Sequence, residues 1–125
     1  MQIGDQAALT RVFTDQDLAG YEALAQGGDV AHGLDHVPEP LIAALFSYLL
    51  GVKLPGPGTN YLKQEIGFLA RADLGQEITA SVEVTRLRPE KQIVDLWAKA
   101  ELADGTVIAE GRSLVKYADT GHGGG

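Results

Sequence analysis

The chain has 125 residues, of which 45% are hydrophobic and 22% charged, and its formal net charge is −7. This length predicts a single domain that is large enough to bury a hydrophobic core. The acidic balance argues against binding to nucleic acid or to an anionic membrane surface, because both need a concentrated basic face. The chain has no cysteine, which excludes disulfides, thiolate catalysis and cysteine-based zinc sites. Because no basic and apolar leader is visible either, we expect a cytoplasmic protein.

A strand followed by a helix is predicted near the N-terminus. Residues 8–13 alternate between apolar and polar side chains, which is typical of a short strand. Thr14 and Asp17 then form a capping-box pattern, in which each side chain accepts a hydrogen bond from the other residue's backbone amide. The helix that begins there is expected to run to about residue 26, and Gly27-Gly28 to end it.

The longest apolar run of the chain, Leu41 to Leu50, predicts a second helix. Pro38 and Pro40 suit the first turn of a helix, and Gly51 is expected to end this one. The run is too short to cross a bilayer, which takes about 20 residues. Because it is apolar on all sides, we expect the helix to be buried on nearly every side.

Four strands are predicted in the second half of the chain. Residues 76–87 and 92–102 alternate strictly between apolar and polar side chains, which predicts strands with one buried face. Residues 60–70 and 106–117 complete the set. Because the connections are short, we expect consecutive strands to pair as antiparallel hairpins.

The order of these elements predicts an α+β fold, in which a curved antiparallel sheet wraps around one buried apolar helix. We expect residues 1–118 to form this single domain. The last residues, 119–125, carry no side chain suited to packing and are expected to form a disordered tail.

A loop of eight residues holds the first candidates for catalysis, Asp29, His32, Asp35 and His36. Imidazoles that titrate near neutrality, beside carboxylates, could activate a water molecule as a general acid and base. The same residues also fit a solvated polar loop. A metal site is a third interpretation, but Gly33 and the following prolines disfavour the helix that would bring both imidazoles to one face.

The start of the apolar helix is a second candidate site. Amides at a helix N-terminus favour developing negative charge, so they could stabilise the enolate of a thioester. Because the two prolines have no amide hydrogen, the amides of Glu39 and Leu41 would be the donors. The alternative interpretation is that the prolines only begin the helix and that no site lies there. Further along, the hydroxyl of Ser47 could face this site or bond back to a helix carbonyl.

Residues 37–91 resemble the MaoC-like dehydratases and are most similar to the (R)-specific enoyl-CoA hydratases. The most specific stretch is Ala44-Leu45-Phe46-Ser47, which is followed by Leu49-Leu50-Gly51, by Leu54-Pro55-Gly56-Pro57-Gly58 and by Tyr61-Leu62. The similarity extends over roughly residues 8–117. It implies the hot-dog fold, a homodimer joined at sheet edges, and hydration of trans-2-enoyl-CoA to (R)-3-hydroxyacyl-CoA. It also implies an acyl-CoA thioester as substrate and no metal or redox cofactor.

The family's catalytic motif, G-D-x-N-P-x-H, matches this chain only at Gly28-Asp29. Ala31, His32 and Leu34 stand where the motif has Asn, Pro and the catalytic His. The resemblance therefore implies Asp29 as a catalytic residue. With a loop that is shorter than in the family, either His36 or His32 could take the histidine's place, and His36 is favoured because it leads directly into the helix.

The resemblance also implies a substrate-binding set at the apolar helix. Ser47 matches the family's active-site serine, and Glu39 takes the position of the glycine whose amide polarises the thioester. Pro40 and Leu41 complete the first turn beside it.

Two other functions fit the same residues. The departures from the motif favour a diverged hot-dog protein that binds acyl thioesters without hydrating them. A thioesterase with Asp29 or Glu39 as its base is the third possibility.

Overall fold

The structure is a computed structural model, and it describes residues 1–18 and 36–118. Within these residues, five strands form one curved antiparallel sheet in the order β1-β3-β4-β5-β2. One helix, α1 (Glu39–Tyr48), packs against the sheet. This arrangement confirms the predicted α+β fold. The strands are β1 (Gln6–Val12), β2 (Asn60–Phe68), β3 (Glu77–Arg88), β4 (Ile93–Leu102) and β5 (Val107–Lys116).

The order of the strands differs from a simple succession of hairpins. β3, β4 and β5 do pair as consecutive hairpins, but β2 pairs with β5 and not with β3, its neighbour in sequence. The prediction that all consecutive strands pair is therefore wrong at this point. Residues 69–76 are long enough to carry the chain from one edge of the sheet across to β3, where β1 forms the other edge.

The core confirms the alternation predicted for β3 and β4. Their inward side chains are fully buried and pack with α1 in one cluster, while the neighbouring residues face away from it. This burial stabilises each strand by about 25 cal/mol per Å² of apolar surface. The inward residues are Ile78, Ala80, Val82 and Val84 on β3, and Val94, Leu96, Ala98 and Ala100 on β4.

The predicted buried apolar helix is confirmed, except along one stripe: within the run Leu41 to Leu50 only Ala44 and Tyr48 are exposed. Its buried side chains include Phe46, and those of Leu49 and Leu50 follow in the next turn; all three face the sheet. The opposite face carries Tyr48 and Val52, which are 49% and 53% exposed. The sheet covers one side of the helix and leaves Tyr48 and Val52 about half exposed on the other. No helix in this described range is long and apolar enough to cross a membrane.

The sequence predicts that Gly51 ends this helix, but the structure shows that the helix continues past it. The chain continues through Gly51 in a wider π-helical turn, Leu49–Lys53, in which the amide of Leu54 donates to the Leu49 carbonyl at 2.8 Å. Leu54 is extended, with φ −154° and ψ 107°. The residue before a proline avoids helical backbone angles, so Pro55 and not Gly51 determines where the helix stops.

The capping box at the first helix is confirmed. The amide of Thr14 donates to the Asp17 carboxylate at 2.8 Å, and the Asp17 amide donates to the Thr14 hydroxyl at 3.4 Å. The hydrogen bond from the Thr14 amide holds the pKa of Asp17 below its usual value, with help from Arg11 at 2.9 Å. Residues 15–18 are helical. The predicted end of this helix and the predicted tail lie outside the described residues.

A buried ion pair interrupts the polar face of β4. Asp95 lies on the face away from the core, yet it is only 5% exposed. Two nitrogens of Arg112 donate to one of its oxygens, at 3.1 and 2.8 Å, and Arg88 lies 3.8 Å from the other. The buried carboxylate of Asp95 is therefore paired with two guanidinium groups, and a buried charge requires such partners.

Candidate functional site

The segment that leads into α1 is bound to the connection between β2 and β3. The amide of Val37 donates to the Ala72 carbonyl at 2.8 Å, and His36 forms an isolated antiparallel bridge with Asp73. Val37 and Ala72 are both buried. These contacts fix the backbone of His36 at the leading end of the helix, although the residues before it in the chain lie outside the described range.

The imidazole of His36 contacts the guanidinium of Arg71. Nη2 of Arg71 lies 2.7 Å from Nδ1 of His36. A guanidinium only donates hydrogen bonds, so Nδ1 must be the acceptor. The neutral ring then carries its proton on Nε2, since an imidazole with an accepting nitrogen is protonated at the other one.

The first turn of α1 begins at Pro38, and Pro40 lies inside it, as predicted. The amide of Leu41 donates to the Pro38 carbonyl at 3.0 Å, so this amide is already engaged within the turn. Pro40 has no amide hydrogen. Glu39 is exposed and places a carboxylate in the first turn, where the helix dipole stabilises negative charge. Two amides were expected to serve a substrate, those of Glu39 and Leu41. The Leu41 amide is bonded to the Pro38 carbonyl, and the Glu39 amide is not.

Ser47 lies two turns further along α1 and is half-buried. Its backbone carbonyl accepts a hydrogen bond from the Tyr61 hydroxyl at 3.2 Å, which ties the helix to β2. Within the described residues, the Ser47 hydroxyl makes no hydrogen bond. It therefore does not bond back to a helix carbonyl, which was one of the two expected arrangements.

The structure thus brings together four of the predicted site residues at the start of α1, namely His36, Glu39, Pro40 and Leu41. Ser47 lies about 10 Å further along the same helix, at 1.5 Å per residue. The other candidates of the loop, Asp29, His32 and Asp35, lie outside the described residues. No group of three or more His, Asp or Glu side chains among residues 1–18 and 36–118 could hold a metal ion.

Arg71 is the site residue that sequence reasoning missed. It is an exposed arginine in the connection after β2, and such a residue is usually an ordinary solvated charge. It lies 35 positions from His36 in sequence, and only the strand order brings the two together. A pattern that is local in the chain carries no signal for such a pair.

Comparison with known proteins places the chain among hydratases. No protein-family model matches it. It is 34% identical over 128 positions to an (R)-specific enoyl-CoA hydratase of Aeromonas caviae, covering 93% of this chain and 95% of that protein. An (R)-specific enoyl-CoA hydratase of Rhodospirillum rubrum is 30% identical, over 90% of this chain and 85% of its own length. The solved structure of the (R)-hydratase of A. caviae involved in PHA biosynthesis superposes with a TM-score of 0.84 at 32% identity, covering 94% of this chain and 98% of that one.

Proposed function

The chain belongs to the MaoC-like family of (R)-specific enoyl-CoA hydratases, and on that premise we propose that it hydrates trans-2-enoyl-CoA thioesters to (R)-3-hydroxyacyl-CoA. The observation that carries the proposal is the identity to the Aeromonas hydratase across nearly the whole length of both proteins. The fold agrees over the same extent. The substrate is accordingly an acyl-CoA thioester.

The reaction adds one water molecule across the double bond. The oxygen of water bonds to C3, the electron pair of the double bond moves toward the thioester carbonyl, and C2 then takes up a proton. In this proposal Asp29 and a histidine hold and deprotonate the water, with His36 preferred to His32. The position of His36 at the leading end of α1 supports this preference, because that is where the helix dipole favours the negative charge of an enolate.

The substrate-binding set is proposed along the same helix. The amide of Glu39 would polarise the thioester carbonyl, with Pro40 and Leu41 beside it in the first turn. Ser47, whose hydroxyl is not used within the described residues, would contact the acyl chain further along the helix. The reaction needs no metal and no redox cofactor, since it is an addition of water without a change in oxidation state overall.

We also propose that the functional unit is one domain over residues 1–118, with a disordered tail after it, in the cytoplasm. The single described sheet with its one core supports the assignment of one domain. The lack of cysteine supports a reducing compartment.

Hydration of crotonyl-CoA by the purified full chain tests the proposed activity. We expect the absorbance of the conjugated thioester to fall until the hydration equilibrium is reached, without release of CoA thiol. Unchanged absorbance in the presence of folded protein would overturn the proposal. A rise in Tm with intact crotonyl-CoA would then indicate a binding protein, and thiol release would indicate a thioesterase.

A homodimer is proposed at the outer edge of β2. This strand pairs with β5 on one side only, so its other edge offers unpaired backbone groups. Four apolar side chains, here called the apolar strip, are each about half exposed on β2 and on the helical segment that Tyr61 contacts: Tyr48, Val52, Tyr61 and Leu62. A second copy that pairs along β2 would cover both the open edge and this strip.

Leu62→Glu is expected to convert the dimer to a monomer, because a charge would be buried in the apolar strip. Sedimentation velocity at micromolar concentration measures the change. Ile3→Glu is the matched control, since Ile3 is an exposed apolar residue outside the strip, and it should leave the dimer intact. A wild-type chain that sediments as a monomer, or a Leu62→Glu variant that stays dimeric, would contradict this interface.

A further inference from the structure

We propose that the face of the sheet away from α1, here called the outer face, binds a nucleotide that carries two or more phosphate groups. The base stacks on Trp97, and the phosphates contact the guanidinium groups of Arg86, Arg88 and Arg112. This binding site goes beyond the proposed hydratase function, because α1 and its substrate-binding set pack on the other face of the sheet.

Arg88 has donors that the described part of the chain does not satisfy. Its side chain is 29% exposed, and its Nη2 lies 3.8 Å from Oδ2 of Asp95, which is close enough for an ion pair but too long for a hydrogen bond. Its Nε is buried and has no hydrogen-bond partner. A buried donor without an acceptor costs free energy, and a phosphate group offers several acceptor oxygens.

One carboxylate organises the guanidinium groups around Arg88. Asp95 accepts two hydrogen bonds from Arg112, through Nε and Nη2. It lies opposite Arg86 in the register between β3 and β4, and Arg86 is exposed. Three guanidinium groups therefore share a single negative charge, so the cluster keeps an excess of positive charge that suits an anion with more than one phosphate group.

The positive charge extends over the half of the sheet that ends at the turn between β3 and β4. The other carboxylates in this half do not cancel it, because Glu65 is paired with Lys63 at 3.6 Å, Glu83 accepts a hydrogen bond from Gln6 at 3.3 Å, and Glu90 is exposed in the turn. A local excess of positive charge attracts anions even on a chain with a net charge of −7. Six of the ten Lys and Arg residues lie in this half, namely Lys63, Arg86, Arg88, Lys91, Arg112 and Lys116.

Trp97 supplies an aromatic surface beside these charges. It is 44% exposed in the middle of β4, the central strand of the sheet. Arg112 lies opposite it on β5, about 5 Å away between backbones, and the row of Asp95 and Arg86 lies about 7 Å along the strands. Aromatic side chains stack on nucleotide bases, and guanidinium groups bind phosphates. An indole and three guanidinium groups this close together favour a nucleotide over a simple anion.

The fluorescence of Trp97 tests the proposal directly, because the chain has no other tryptophan. The probes are ATP and adenosine 3′,5′-bisphosphate, which is the nucleotide part of coenzyme A, at one fixed ionic strength. We expect saturable quenching by at least one of them, and none by adenosine. Quenching by ATP alone would support a free nucleotide as the ligand, and quenching by the bisphosphate alone would support coenzyme A.

Pyrophosphate separates the contribution of the base from that of the phosphates. It should displace the bound nucleotide and restore the fluorescence, but only at a concentration about tenfold higher than that of the nucleotide, because it cannot stack on Trp97.

Arg86→Gln is expected to raise the dissociation constant of the nucleotide about tenfold, since it removes a charged donor from an exposed position. Lys53→Gln is the matched control. Lys53 is exposed in the π-helical turn after α1, so this variant loses the same charge away from the outer face and should bind like the wild type.

Three results would overturn the proposal. The first is that neither nucleotide quenches Trp97. The second is that Arg86→Gln and Lys53→Gln bind the nucleotide with equal affinity. The third is that pyrophosphate fails to displace the nucleotide, which would separate the quenching from the guanidinium groups.

Discussion

Asp29→Asn is expected to lower kcat for hydration of crotonyl-CoA about 1,000-fold, within the range that general-base catalysis contributes. Asparagine has nearly the shape of aspartate, but its amide cannot take a proton from water. Substrate binding should change far less, because the proposed contacts of the thioester lie on α1. Initial rates at saturating crotonyl-CoA, followed by the loss of conjugated-thioester absorbance, measure the effect.

Asp104→Asn is the control for this substitution. Asp104 lies before Gly105 in the turn between β4 and β5. Its carboxylate accepts a hydrogen bond from the Thr106 amide at 2.8 Å. Asn-Gly suits such a turn as well as Asp-Gly does, so this variant should fold and hydrate like the wild type. An Asp29→Asn variant whose kcat stays within tenfold of the wild type would remove Asp29 from the role of base.

Gly111→Ala is expected to destabilise the fold by about 3 kcal/mol or more, the largest effect on stability that we predict. Gly111 is buried on β5, where it lies opposite Ile66 of β2 and Ala98 of β4. A Cβ added there would coincide with the Glu65 carbonyl oxygen, and it would lie 2.8 Å from the Ile66 Cα. All of these atoms belong to the backbone, so β2 could relieve the clash only by leaving its register with β5.

Gly67→Ala provides the comparison within the same pair of strands. A Cβ at Gly67 would have its nearest neighbour at 3.9 Å, which is an ordinary contact, and the residue has no positive φ. Its free energy of unfolding should stay within about 1 kcal/mol of the wild type, since alanine suits a strand at least as well as glycine. Both values come from urea denaturation. Equal stability of the two variants would mean that β2 does not pair with β5 in this register.

The elements that follow from local pattern were predictable from the sequence. The alternation of β3 and β4 depends on neighbouring residues only, and the capping box joins Thr14 to a residue three positions away. Pro38 and Pro40 marked the start of α1 for the same reason. In each case one short stretch contains both the signal and its physical cause.

The position of β2 could not be predicted in this way. Whether a strand pairs with the next strand or crosses to the far edge depends on the whole sheet, and hairpin rules favour the wrong neighbour. Gly111 does carry a hint, because a glycine inside a predicted strand often marks a close approach of another backbone. The exposed side chains of α1 were missed for a related reason. An apolar residue predicts burial, but the sequence does not say whether its own chain or a second copy covers it.

The candidate site was only partly predictable. The resemblance to the family predicted Asp29 and Ser47 as site residues. It also predicted a site at the start of α1, and the structure places His36 there. The contact with Arg71 depends on the strand order, so no spacing in the sequence could reveal it. The assignment of the proton to Nε2 of His36 needed the distance between two specific nitrogens.

The product formed from crotonyl-CoA in ¹⁸O-labelled water tests the central claim most directly. Chiral analysis with mass spectrometry should find (R)-3-hydroxybutyryl-CoA that carries the label on the oxygen at C3, with the thioester intact. Label in the carboxylate of free crotonate, a product of S configuration, or the absence of any labelled 3-hydroxybutyryl-CoA would contradict an (R)-specific hydratase.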